Sequence, residues 1–247
     1  MKIAICISGQ PRNTTRGIPN ILENLKFDYD VFQHAWWDNN SSKELFTKSN
    51  VAKLNDVVSE HVNNHWISLM YNNFNIKKMH LETQIPFNVP DILETRKTYY
   101  SNAFNICSSL YSIYKCNELK KEYERQNNFK YDLVIRTRLD FGFHEPLKIN
   151  EYDSKFIYVP NDFGTKRYGF NDQFAIGSSY NMDIYSDVFN KIEYTLNSYG
   201  DLMGHEQLIQ KHLENNKIDF ILKDFKNFLW RHEGNRSRIH SIHSLKS

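Results

Sequence analysis

The chain has 247 residues, 40% of them hydrophobic and 24% charged, which excludes a disordered tract and allows one large α/β domain or two small ones. A formal net charge of +2 excludes the strong basic field of a dedicated nucleic-acid binder. No run approaches the roughly 18 consecutive apolar residues of a membrane span.

In chain order, the N-terminal "MKIAICISG" is too short an apolar run for a signal peptide and has no cleavage site. "KIAICISG" predicts a buried first strand, stopped by Gly9 and Pro11. Asn13 or Thr14 can cap a short helix through "TTRGIPNILENL", which Gly17 and Pro19 weaken or delay. "YDVFQHAWW" predicts a second strand. Strand, helix, strand is the opening of an α/β unit with a parallel sheet. Between 43 and 75, Val51, Leu54, Val57 and Val58 have helical spacing, "NNFNIKKMHLE" reads as a third strand and "PFNVPDI" as loop. From about Tyr99 to Gln126 a long helix is predicted by Ala103, Cys107, Leu110 and Tyr114, which recur every three to four residues. It feeds straight into "YDLVIRTRLD", as a right-handed crossover onto the same sheet would. "KFIYVPND" and "NDQFAIGSS" are later strands, "SYNMDIYSDVFNKIEYTL" and "HEQLIQKHLENN" helices, and "IDFILKDF" a final short strand. With no repeat and no low-complexity linker, one α/β domain over 1–230 is expected, followed by a basic tail at 231–247.

Cys6, Cys107 and Cys116 are odd in number and widely spaced. The nine-residue gap from Cys107 to Cys116 puts them on opposite faces of a helix, so they cannot share a metal. Three free thiols suit a reducing compartment, and a cytoplasmic protein is expected.

The chemistry gathers in a few short stretches. "ISGQPR" ends the first strand just before a helix start, where α/β sheets bind phosphates through loop amides. There Gly9 permits close backbone approach and Arg12 could fork a phosphate, or the stretch is a plain turn with a solvated Arg. Neither the Rossmann fingerprint nor the P-loop is present. In "RTRLD", Arg136, Arg138 and Asp140 recur at two-residue spacing, so an extended strand would point all three to one face. They either form an internal ion-pair cluster or meet an anion and its counter-cation. "NDQF" offers Asp172 and Gln173 as an acid–amide pair that grips sugar hydroxyls or supplies a base, or as a turn. "GHEQLIQKH" is not a zinc hydrolase helix: Ile209 stands at the second His position of H-E-x-x-H, and His212 is seven residues from His205. Glu206 is a base or a plain helix-dipole acid. The tail holds Arg231, Arg236, Arg238 and three histidines after its Trp230, and its last ten residues are expected to fray.

These pieces in this order resemble small bacterial and viral glycosyltransferases of the GT-A type, over most of residues 1 to 215. The most specific part is the helix "YSNAFNICSSLYSIYKCNELKK" followed by the R-x-R-x-D strand. The resemblance implies a single Rossmann-like domain with a mostly parallel sheet flanked by helices. It also implies a nucleotide-diphosphate sugar as donor and a hydroxyl of a glycan acceptor, as in surface polysaccharide synthesis. On it, Ser8, Gly9 and Arg12 face the nucleotide and Asp140 sits at the metal or donor sugar. Asp172 and Glu206 are candidates for acceptor contact or general base. In the family an Asp-x-Asp motif at this strand end holds manganese or magnesium. Arg138 stands here at the first Asp, leaving Asp140, with His232 or waters to complete a ligand set. Alternatively Arg136 and Arg138 clamp the departing diphosphate themselves. Non-catalytic sugar-nucleotide or glycan binding on the same fold is the rival reading. Nucleic acid is not expected as a partner, while the basic tail could give peripheral membrane contact.

Overall fold

The computed structural model describes residues 1–38, 42–48, 57–90, 103–161, 169–198, 204–230 and 236–237. The first strand β1 (Ile3–Gly9) is continued by α1 (Thr14–Asn24) and β2 (Asp30–Trp36), the predicted α/β opening. Asn13, at the start of α1, has a left-handed backbone (φ 52°) and makes no side-chain cap; its amide donates instead to the Trp230 carbonyl at 3.1 Å. Where helical spacing pointed to a helix, the chain forms an antiparallel hairpin of β3 (Ser42–Lys48) and β4 (Val57–Asn63), followed by α2 (His65–Asn73). Val57 and Val58 therefore belong to a strand, where β-branched residues pack well; Val51 and Leu54 lie outside the described residues. β5 (Ile76–Glu82) is the third strand of the main sheet.

The long predicted helix is α3 (Ala103–Gln126), and it runs into β6 (Leu133–Thr137), which pairs parallel with β1. β7 (Phe141–Phe143), β8 (Ile157–Pro160) and β9 (Ala175–Gly177) follow. After them come α4 (Ser179–Ser186), α5 (Ile192–Ser198), α6 (His205–Asn215), β10 (Phe220–Lys223), β11 (Asn227–Trp230) and β12 (Arg236–Ser237). The main sheet has seven strands in the order β10-β8-β9-β6-β1-β2-β5. It is mostly parallel; only β9 runs against its neighbours β6 and β8. A second sheet, β12-β11-β7, was not foreseen from sequence and extends across the expected boundary at 230/231.

Alternation along β1 divides the interior. Ile3, Ile5 and Ile7 face one core with Ile18 and Ile21 of α1 and Trp66 and Met70 of α2. Ala4 and Cys6 face a second core with Ile106, Cys107 and Leu110 of α3 and with residues of α4 to α6. Cys107 and Cys116 of α3 are both buried in this second core, the Cys116 thiol 3.3 Å from the Ile7 and Phe32 carbonyls. All three cysteines are free thiols.

The topology places a crevice. From β1 the chain moves outward to β2 and then β5, and α3 carries it back to β6 on the other side of β1. At such a reversal the connections leave the carboxyl ends of β1 and β6 in opposite directions, which opens the usual ligand crevice of a parallel sheet. One close approach holds its floor: a Cβ on Gly17 would lie 1.8 Å from the Leu139 carbonyl oxygen. Gly17→Ala is therefore expected to push α1 off the 138–140 turn and to cost about 1–3 kcal/mol or somewhat more. Chemical denaturation checks this, and an unchanged midpoint would mean that helix and turn separate freely.

Candidate ligand crevice at the strand reversal

Ser8 and Gly9 end β1. The Ser8 hydroxyl is buried, and no described residue hydrogen-bonds to it. A buried hydroxyl without a partner costs free energy, so a ligand oxygen or water there would satisfy it. Gly9 has φ 115°, a backbone only glycine adopts readily, and the space where its Cβ would stand is open. Beyond it the chain turns tightly: the Arg12 amide donates to the Gln10 carbonyl at 2.8 Å, and the Arg12 guanidinium bonds the Gln10 side chain.

The "RTRLD" stretch is not one extended face. Strand β6 stops at Thr137, and Arg138 to Asp140 form a turn closed by the Phe141 amide on the Arg138 carbonyl at 3.3 Å. The charges divide into two pairs. Arg136, aligned with Cys6 of β1 and nearly fully buried, donates to the Asp172 carbonyl and lies 3.9 Å from the Asp172 carboxylate. Arg138 forks Asp140, its Nε and Nη2 donating to the two carboxylate oxygens at 2.7 and 2.5 Å. The Asp140 side chain is 3% exposed and that of Arg138 26%, so Arg138 is the less buried member of the pair.

The two predicted acids join the same region. The Asp172 carbonyl also accepts from the Tyr185 hydroxyl of α4 at 3.2 Å, and the Asn171 side chain accepts from the Gln173 amide at 2.9 Å to hold the turn. Glu206 opens α6, whose first turn abuts Gly169 just before that loop. Burial alone would lower the Arg138 pKa, but the fields of Asp140, then Asp172 and Glu206, outweigh it and hold the guanidinium above its ordinary value. Burial raises the Tyr185 phenol, with Arg136 opposing and Asp172 and Glu206 reinforcing. Arg136, Arg138, Asp140, Asp172 and Glu206, scattered over seventy residues of sequence, form one electrostatic group.

Trp230 fastens this group to the β1 loop. Its amide donates to the Asp140 carbonyl at 2.9 Å, its carbonyl accepts from Asn13, and the Arg16 guanidinium lies 5.4 Å from its ring centre. Sequence reading missed Trp230 and Tyr185, since neither stands in a motif; only the pairing of β11 with β7 brings the first to the site. His232 lies outside the described residues.

With both oxygens of Asp140 forked by Arg138, the described residues do not fit a divalent cation at Asp140, which needs free carboxylate oxygens. Among the described residues, the group with metal-ligand geometry lies elsewhere, at His34, His80 and Glu82.

Fold and crevice together define an α/β protein with a mostly parallel seven-stranded sheet and a cluster of paired charges at its strand reversal. Residues 103–221 match the model of a domain of unknown function, DUF7796. That span runs from α3 to the start of β10 and contains all five members of the electrostatic group, while the β1 loop lies outside it. No curated protein matches the chain. No helix among the described residues is long and apolar enough to cross a membrane.

Proposed function

We propose that the protein is a GT-A-type glycosyltransferase that moves a sugar from a nucleotide-diphosphate donor to a hydroxyl of a glycan acceptor. The observation that supports this reading is the register of β1 with β6, which sets Arg136 beside Cys6, two residues before the buried Ser8 hydroxyl and the open Gly9 turn at the strand reversal. A diphosphate carries oxygens that accept from guanidiniums, loop amides and a hydroxyl, and it would compete with Asp140 and Asp172 for the two arginines. In this reading Ser8, Gly9 and Arg12 meet the nucleotide, and Arg138, braced by Asp140, stabilises the charge that develops as the diphosphate departs. Arginine thus does here what a divalent cation does in relatives that carry the Asp-x-Asp motif. Asp172 is tied to Arg136, so Glu206, the less buried acid, is the better candidate for deprotonating the acceptor hydroxyl.

The test is a thermal-shift screen of nucleoside diphosphates and nucleotide sugars, with and without manganese, followed by calorimetry and donor turnover. One donor class is expected to stabilise the protein without manganese. Arg12→Ala should weaken that donor roughly ten- to hundredfold, the cost of about 1.5–3 kcal/mol for a lost charged hydrogen bond. An unchanged dissociation constant would remove Arg12 from the site. Binding with neither transfer nor hydrolysis would favour a non-catalytic sugar-nucleotide binder.

A further inference from the structure

We propose that His34, His80 and Glu82 form a binding site for a zinc-type divalent transition metal at the carboxyl edge of β2 and β5, separate from the diphosphate crevice. Strand register builds it: His34 is aligned with His80 on the neighbouring parallel strand, and Glu82 follows two residues later on the same face. The three ligand atoms lie within 4.8 Å of one another. His34 Nε2 is 3.0 Å, and His80 Nε2 3.7 Å, from the same Glu82 oxygen. Two ligands at about 2.0–2.1 Å from a tetrahedral zinc stand about 3.3 Å apart, so these separations bracket what the metal requires. The His80 side chain, 46% exposed, can rotate to close the set.

The surroundings are those of a built metal centre rather than a chance cluster. His34 Nδ1 lies 2.8 Å from the Ser112 hydroxyl of α3, an arrangement that fixes the ring and leaves Nε2 to coordinate. The second Glu82 oxygen accepts from the Tyr111 hydroxyl at 3.2 Å, so the carboxylate presents a single oxygen to the site. Trp36 stacks on Tyr111 with ring centres 5.4 Å apart and walls one side. Two imidazoles and one carboxylate oxygen suit zinc or cobalt better than magnesium or calcium, which prefer oxygen alone. With three protein ligands, a coordination position remains for water or substrate.

The experiment uses the full chain, stripped of metal with a chelator and titrated with Zn²⁺ by calorimetry. Co²⁺ is titrated in parallel and followed by its visible absorption. One zinc per chain is expected, with the visible bands of a low-coordinate cobalt centre and a rise in melting temperature. His80→Ala removes a half-exposed side chain, so the metal-free variant should melt like the wild type while its zinc affinity falls by more than about tenfold. Ser112→Ala should weaken zinc about 10–100-fold through loss of the outer partner. Wild-type protein that takes up neither metal would overturn the site. So would His80→Ala retaining wild-type affinity, because the zinc would then belong to histidines elsewhere. Neither readout depends on sugar transfer, so the metal site and the transferase reading stand or fall separately.

Discussion

Lys120→Met is expected to lower the melting temperature by about 6–20 °C while leaving donor binding intact. Lys120 and Glu124 of α3 both have fully buried side chains. The ammonium reaches Ser179 at 2.5 Å, Asp183 at 2.8 Å and Glu124 at 3.3 Å, tying α3 to α4. Glu124 in turn accepts from the Tyr131 amide at 3.0 Å, from Ser179 at 2.6 Å and from Lys130 at 2.8 Å, at the entry to β6. Removing one member of a buried ion pair costs about 3–5 kcal/mol, and each kcal/mol moves a domain of this size by about 2–4 °C. The network sits at the amino end of β6, opposite the crevice, which is why binding should survive. Burial alone would raise the Glu124 pKa, but Lys130, Ser179 and the Tyr131 amide outweigh it and hold it below its usual value. A carboxylate depressed in the folded state contributes stability above its unfolded pKa, about 4.3, and that contribution fades as pH falls through the folded value. Acid unfolding should therefore steepen below about pH 4, and Glu124→Gln should flatten it. Thermal and acid melts of the variants check both. A Lys120→Met protein that melts like the wild type would show that Lys130 suffices for Glu124.

The second large effect concerns turnover. Arg138→Ala is expected to lower donor turnover by about 10²–10³, the scale for removing one preorganised donor to developing charge. Some stability is lost as well, because the buried Asp140 carboxylate is left without its fork, but activity should fall much further than the folded fraction. Asp140→Asn should give a smaller loss, since the guanidinium keeps its charge and loses only half of its fork. If "RTRLD" were scaffolding alone, both proteins would be destabilised and activity would follow the folded fraction. Melting temperature and turnover measured on the same two proteins separate the outcomes. Arg138→Ala that is stable and fully active would end the diphosphate reading.

The strands and helices of the main sheet could be read because their signals are local. β1 and β6 are compact apolar runs, and the apolar spacing of α3 persists over its whole length. The hairpin β3–β4 could not, since valines spaced like one face of a helix are equally at home in a strand. The end of β6 was misjudged because charge after an apolar run can extend a strand or leave it; the tight turn at Leu139 and Asp140 takes the second course. For that reason the three charges of "RTRLD" are two ion pairs with different partners. Candidates chosen by residue type, Asp172 and Glu206 among them, do gather around Arg138, whereas Tyr185 and Trp230 arrive only through tertiary contacts. The His34, His80 and Glu82 group was invisible for a related reason: its spacing exists across strands, not along the chain.

The Trp230 contacts also bear on synthesis. Asn13 leaves the ribosome well before its hydrogen-bond partner, which lies 217 residues further on. Until that segment emerges, the first loop lacks its fastening and the Asp140 turn its Trp230 amide donor. A nascent chain stalled before β11 can thus assemble the core packed against α3 while its crevice stays unfastened. Competence to bind would then wait on the synthesis of β11.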